Sequence, residues 1–142
     1  MPLIISSKLY HNIIYDPIGY NKETGGFLGI KNNAIINYVF DEGMTISNVF
    51  MYRPNSMIFN IFVSKCIKNK VEQFGILHTH LNQNETLSNN DREFIHDFFD
   101  PNPHINQMYF PVVIPGELMR IYIGKRNNRK VNLNVCEMSL YL

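Results

Sequence analysis

"HTHLNQNETLSNND", His78 to Asp91, joins an apolar run to a polar one. The residues before it, "EQFGILHTH", read as a strand running into a loop. Those after it, "NDREFIHDFFD", read as a helix ended by "PNP". Side chains alternate along a strand, so His78 and His80 share a side and Thr79 faces away. Two imidazoles converging at a strand end make half of a zinc site. Asp91 lies just inside the helix, and the loop between can return its carboxylate to the strand end. Two histidines, a carboxylate and a water complete a tetrahedral site with an open position, which is the catalytic pattern. Zinc in such a site lowers the pKa of its water to roughly 7, and the chemistry still needs a base and an oxyanion donor. Ser88 stands near enough to be that donor. The same residues have a structural reading. The histidine pair also suits a surface strand, while Ser88 and Asp91 fit an N-cap and its capping-box acid. Sequence leaves both readings open, and Ser88 can serve both.

Outward from this stretch, elements of both kinds alternate. "KLYHNIIYD" places Leu9, Ile13 and Ile14 near helical spacing and stops at Asp16-Pro17. "GGFLGI" and "NAIINYVFD" read as strands joined by "KNN". "ISNVFMYR" reads as a further strand ending before Pro54. Asn55 caps an expected helix, "SMIFNIFVSKCIKNK", whose lysines gather at the C-terminal end where the dipole favours them. "QMYFPVVI", "LMRIYIG" and "VNLNVCEM" are expected strands, with turns at "PGE" and "RNNR". The pattern implies one α/β or α+β domain over residues 1–142, a mixed sheet with helices packed on it.

Composition narrows the function classes. The chain has 142 residues, 45% apolar and 18% charged, enough for one core without disulfides. A net charge of +1 argues against a strongly basic nucleic-acid binder. Cys66 and Cys136 sit among apolar neighbours and read as buried free thiols, which fits a reducing, cytoplasmic setting. "MPLIISSKLY" lacks the form of a signal peptide, and no apolar run approaches a membrane span. No membrane and no nucleic-acid partner is expected.

His-x-His, seven residues, Ser, two residues, Asp resembles the motif of the JAMM metalloproteases, the MPN+ or JAB domains of the Mov34/PAD-1 group. It stands complete as His78, His80, Ser88 and Asp91. The family also carries an upstream glutamate after a first helix, beside a glycine-rich strand. "NKETGGFLGI" resembles that segment and makes Glu23 the counterpart. Two positions depart from the family's habit. Leu81 stands where proline is frequent, and the aromatic residues common just before the histidines are missing, Phe74 lying further back. Neither change removes a ligand. The resemblance covers most of the chain and implies a curved mixed sheet flanked by helices, the cytidine-deaminase-like JAB/MPN fold. It implies a zinc-dependent hydrolase of amide bonds, with one zinc per chain held by His78, His80 and Asp91. Glu23 would be general acid/base, and Ser88 would steady the oxyanion. The implied substrate is the C-terminal tail of a ubiquitin-like protein or its conjugate, as for small standalone prokaryotic members. An extended tail is expected to add to a sheet edge near the cleft.

Two other readings share the motif. One is a catalytically silent MPN-type scaffold, against which the full ligand set argues. The other is a RadC-like nucleic-acid-associated protein, which would carry an added N-terminal helical domain. "GGFLG" is no dinucleotide fingerprint, because its glycine spacing is wrong. His11, His96 and His104 read as helix, surface or loop residues outside the site. The cluster "KRNNRK", Lys125 to Lys130, reads as a solvated turn.

Overall fold

Asn32 and Asn33, with φ of 52° and 63°, make a two-residue turn between β2 (Gly25–Lys31) and β3 (Ala34–Asp41). Two left-handed residues in succession match the twist of the flanking strands, and asparagine tolerates that conformation. This is the hairpin the "KNN" junction announces. The computed structural model describes residues 2–44 and 51–142. The other elements described are β1 (Leu3–Ser6), α1 (Ser7–Tyr15), α2 (Ser56–Lys68), β4 (Gln73–Thr79), α3 (Asn89–Phe99), β5 (Gln107–Ile114), β6 (Leu118–Asn127), β7 (Lys130–Cys136) and β8 (Met138–Tyr141).

The strands form a single mixed sheet in the order β7-β6-β5-β4-β2-β3-β1-β8. β4 pairs parallel with β5, and β1 pairs parallel with both β3 and β8; the remaining pairs are antiparallel. Only Glu137 separates β7 from β8, yet these two strands lie at opposite ends of the strand order. A continuous chain can satisfy both pairings only if the sheet curls until its edges approach along the last strand. The expectation of a curved mixed sheet with helices on it is met at that level.

Alternation along the strands sends residues to two apolar clusters. Leu28, Leu77, Tyr109 and Val113 join Ile13 and Ile14 of α1 in one. Phe27, Ile76, Phe110 and Val112 join Phe62 and Cys66 of α2 and Ile95 and Phe99 of α3 in the other. β5 is buried on both faces, which explains why "MYFPVVI" is apolar without alternation. Ser6 and Asn55 cap α1 and α2 with their side chains, and Lys65 and Lys68 occupy the last turn of α2 as the dipole prefers.

Several sequence expectations need adjustment. The strand expected over "ISNVFMYR" falls largely on residues 45–50, outside the described residues, and Met51 to Arg53 are not in a strand. The strand expected over "VNLNVCEM" is two, because Glu137 carries the chain from β6 to β1 and its carbonyl accepts from Leu3 N–H at 2.9 Å. Strand β1 was not expected; four residues carry too little periodicity, and long-range pairing makes them a strand. Cys66 is a buried free thiol, but Cys136 is only half-buried. In the basic cluster Lys125, Arg129 and Lys130 are exposed, whereas Arg126 folds back. It donates to the carbonyls of Phe99, Asn102 and Ile105 at 2.7, 3.0 and 3.2 Å and lies over the Phe99 ring. One member of an expected solvated turn therefore fastens the C-terminal end of α3. Among the described residues no helix is long and apolar enough to cross a membrane.

Candidate metal centre

The candidate site lies at the C-terminal end of β4, where that strand runs between β2 and β5. His78 pairs with Gly25 on one side and Val112 on the other. His80 follows directly, its N–H bonded to the Val113 carbonyl at 3.0 Å. Strand parity puts both imidazoles on one side, with their Nε2 atoms 2.9 Å apart. Thr79 faces the other way and has its own task. Its hydroxyl accepts from Thr24 N–H at 2.9 Å, and its N–H donates to the Thr24 carbonyl at 2.8 Å. That lock brings Glu23, next in sequence to Thr24, beside the histidines. The signal in sequence for such a lock is a threonine, Thr79, between the two histidines.

Asp91 arrives from the first turn of α3. Ser88 is the N-cap, its Oγ accepting from Asp91 N–H at 3.1 Å while Ser88 N–H donates to Asp91 Oδ2 at 2.8 Å. The capping box is complete. The same carboxylate sends Oδ1 to within 3.1 Å of His78 Nε2 and Oδ2 to within 3.0 Å of His80 Nε2. The capping reading is therefore realised, and the same carboxylate also lies close enough to both imidazoles to share a metal ion with them.

The donor chemistry asks for a cation. His80 Nδ1 lies 2.6 Å from the Asn84 carbonyl, which only accepts, so Nδ1 carries the proton. In neutral His80 that leaves a lone pair on Nε2, pointing at a carboxylate and a second ring nitrogen. Such a gathering is repulsive unless a proton or metal ion sits in it. The three ligand atoms lie within 4.8 Å of one another. Their contacts of 2.9 to 3.1 Å are a few tenths of an ångström inside the ~3.3 Å expected between ligands of one tetrahedral zinc. A second-shell carbonyl on Nδ1 is also the usual way a metal-binding histidine is oriented. The residues present fit zinc.

Without metal, protons do that work. Burial draws the His80 imidazole down, but the Asp91 carboxylate, the Asn84 carbonyl and the charge of Glu23 outweigh it and raise its pKa above the ordinary 6.5. Burial pushes the Asp91 carboxyl up, but hydrogen bonds with His78 and His80 and from Ser88 N–H hold it far below the ordinary 3.8. Asp91, with a depressed native pKa, contributes stability present above about 3.8 and lost as pH falls toward its native value. His80, with a raised one, contributes stability fully present below 6.5 and lost as pH rises through its native value. A metal ligand must be deprotonated, so zinc displaces the His80 proton more cheaply as pH rises. The rise in Tm on adding zinc to chelator-treated protein is therefore larger near pH 8 than near pH 5.5. Thermal unfolding at the two pH values, with and without zinc, checks this; an equal or reversed response would contradict the ligand assignment.

Glu23, His78 and Asp91 line one cleft of about 290 Å³. Ile76 and Phe110 contribute from the sheet, Phe94 and Ile95 from α3, and Met51 to Pro54 from the segment before α2. His80 sits behind this surface, 6% exposed. Glu23 Oε1 accepts from Tyr52 N–H at 3.3 Å. Ser88 is exposed and is not among the cleft-lining residues; its Oγ accepts from Asp91, which leaves its O–H free to donate. His11, His96 and His104 are all exposed and none lines the cleft. The loop "LNQNETL" is tied away from the cleft, with Leu87 buried and Tyr122 O–H donating to the Glu85 carbonyl at 2.8 Å. Among the described residues β2, β4 and β5, the strands that carry the site, are each paired on both sides, so an added tail would need an edge other than theirs.

No family model matches the chain, and no curated protein matches it. Among solved structures, it is similar to the solution structure of protein DSY2949 from Desulfitobacterium hafniense, a structural genomics target. The TM-score is 0.58 and the identity 9%, over 98% of this chain and 92% of that one. At that identity the likeness is one of fold alone.

Proposed function

We propose that the chain is a JAMM-type zinc hydrolase of amide bonds with the cytidine-deaminase-like JAB/MPN fold. The single observation that carries this is the convergence of three lone-pair donors, His78 Nε2, His80 Nε2 and an Asp91 carboxylate, beside a cleft shared with Glu23. The resemblance of the His-x-His, Ser, Asp spacing to that family supports the same reading.

His78, His80 and Asp91 would hold the ion, and two of them, His78 and Asp91, also line the cleft. Zinc held by these ligands supplies Lewis-acid polarisation of a carbonyl and lowers the pKa of water to about 7. Glu23 takes the proton of the attacking water and delivers it to the leaving amine nitrogen as the C–N bond breaks. One carboxylate can do both where the attacking water and the leaving nitrogen stand on the same side of the cleft as it does. Ser88 does not line the cleft, but its free O–H would donate to the carbonyl oxygen of a tail held beside Asp91 as that oxygen's charge grows. Ile76, Phe94 and Phe110 give the cleft an apolar floor that holds a peptide chain and limits water around the reacting bond. The substrate is an extended tail of a ubiquitin-like protein, or its conjugate. With β2, β4 and β5 paired on both sides, the tail lies in the cleft lined by α3 and the Met51–Pro54 segment. The free thiols of Cys66 and Cys136 suit a cytoplasmic setting.

The test is direct. Purified chain is treated with chelator, reconstituted with zinc, and assayed on an aminocoumarin amide of the ubiquitin C-terminal tail and on a panel of ubiquitin-like fusions. Hydrolysis that disappears with chelator and returns with zinc is expected; zinc-bound protein inert on the whole panel would refute the proposal. Ser88→Ala is expected to lower turnover on the order of 10²–10³-fold as an oxyanion donor is lost. It also costs about 1 kcal/mol of stability as the cap is lost. Normal turnover with only the loss of stability would leave Ser88 a cap and nothing more.

A further inference from the structure

Asp41 is a carboxylate at the end of β3 with 2% of its surface exposed. Its Oδ2 accepts from the Tyr52 hydroxyl at 2.6 Å and from Asn55 N–H at 2.9 Å, and its Oδ1 accepts from Gly43 N–H at 3.1 Å. The segment it fastens is the one that walls the cleft, Tyr52 to Pro54. Met44 N–H adds a bond to the Arg53 carbonyl at 2.9 Å, so the two ends of that connection are tied at its base.

The chain has given up side chains to seat the Tyr52 ring. A Cβ on Gly25 would collide with the ring and with the Leu77 carbonyl. A Cβ on Gly43 would meet the same ring at 3.0 Å, and Gly43 has φ of +93°, where a side chain is strained in any case. Gly25 is the residue paired with His78 on one side and Asp41 on the other. The phenol therefore lies across the strand between the candidate metal ligands and a buried acid. Its main-chain N–H is the group that reaches Glu23.

We propose that Tyr52 and Asp41 are positioning residues for Glu23: Asp41 fixes the phenol, and the fixed phenol sets the Tyr52 N–H that aims the Glu23 carboxylate into the cleft. This rests on the function proposed above. A carboxylate on a half-exposed residue has many rotamers, and proton transfer requires one of them. A main-chain donor selects that rotamer only if its own place is held, and a buried charge with three donors holds it firmly. Neither residue need touch substrate through its side chain for this to work.

Tyr52→Phe is the deciding variant, because it removes one hydroxyl and leaves the ring, the backbone and the other two bonds of Asp41. Turnover of the aminocoumarin amide is expected to fall roughly tenfold with KM within about twofold, since aim is lost and binding is not. Zinc content should stay at the wild-type level. The second readout needs neither zinc nor turnover. In ¹⁵N-labelled, metal-free protein, the amide proton of residue 52 should shift in Glu23→Gln, which weakens the bond from its other end, and in Asp41→Asn, which frees the phenol. Its hydrogen exchange should quicken in both. Asp41→Asn should act in the same direction as Tyr52→Phe; because Asp41 is buried it is scored only if its melting remains cooperative. Wild-type kcat in Tyr52→Phe, a loss confined to KM, or a Tyr52 amide indifferent to both variants would overturn the proposal. Zinc-loaded wild-type protein that cleaves no probe would instead overturn the proposed function, and the amide measurement would then uphold or overturn the clamp on its own.

Discussion

Glu23→Gln lowers turnover roughly 10²–10⁴-fold and leaves zinc bound in wild-type amount. Glutamine keeps the size and a carbonyl oxygen that can still accept from Tyr52 N–H at the position where Glu23 Oε1 lies 3.3 Å away. It cannot take a proton from water. Glu23 is not one of the three ligands, so metal content should not change. Stability should change little, because Glu23 is half-exposed and the lock between Thr24 and Thr79 that places it is untouched. The measurement is kcat on the tail amide beside elemental analysis of the same sample. Full activity with zinc in place would remove Glu23 from the proton path and leave the cleft without a base. Zinc lost along with activity would mean that Glu23 contributes to holding the ion.

What could be read from sequence followed from local rules. The parity of His78 and His80, the caps at Asn55 and Ser88, and the Asn32-Asn33 turn each depend on a few neighbouring residues. The convergence of Asp91 on the histidines was legible because a cap fixes where a helix begins, and only a short loop separates α3 from β4. What escaped is long-range. Strand β1 exists because β3 and β8 receive it, and the break at Glu137 exists because the curled sheet offers two edges to one passing chain. Tyr52 and Asp41 look ordinary in sequence. Their importance comes from a ring packed on Gly25, which lies 27 positions before Tyr52 and has no periodicity with it. That β2, β4 and β5 are interior strands escaped for a related reason: whether a strand is an edge is decided by strand order, which no local pattern in them records. The grouping of His78, His80 and Asp91 was thus legible in sequence, and the cleft beside it was not.

Asp91→Ala removes zinc and hydrolysis together, and it also costs stability in two separable parts. The carboxylate holds Ser88 N–H at 2.8 Å, so its loss opens the capping box and costs about 1 kcal/mol in metal-free and zinc-treated protein alike. Beyond that, wild-type protein gains about 2.7 kcal/mol from a metal present at a hundred times its dissociation constant, and the variant forgoes this gain. Asp91→Asn separates the parts: its amide oxygen can keep the cap, while its lack of charge fails the metal. It should therefore melt closer to metal-free wild type than Asp91→Ala does, yet retain no stoichiometric zinc. His78→Ala tests the same ligand set from the strand side, where no cap is at stake, and should lose zinc and activity without the capping penalty. Elemental analysis with thermal unfolding, each with and without zinc, reads all three variants. Stoichiometric metal retained in either alanine variant would show that the ion is held by other groups. The close approach of two imidazoles and a carboxylate would then need protons alone to explain it.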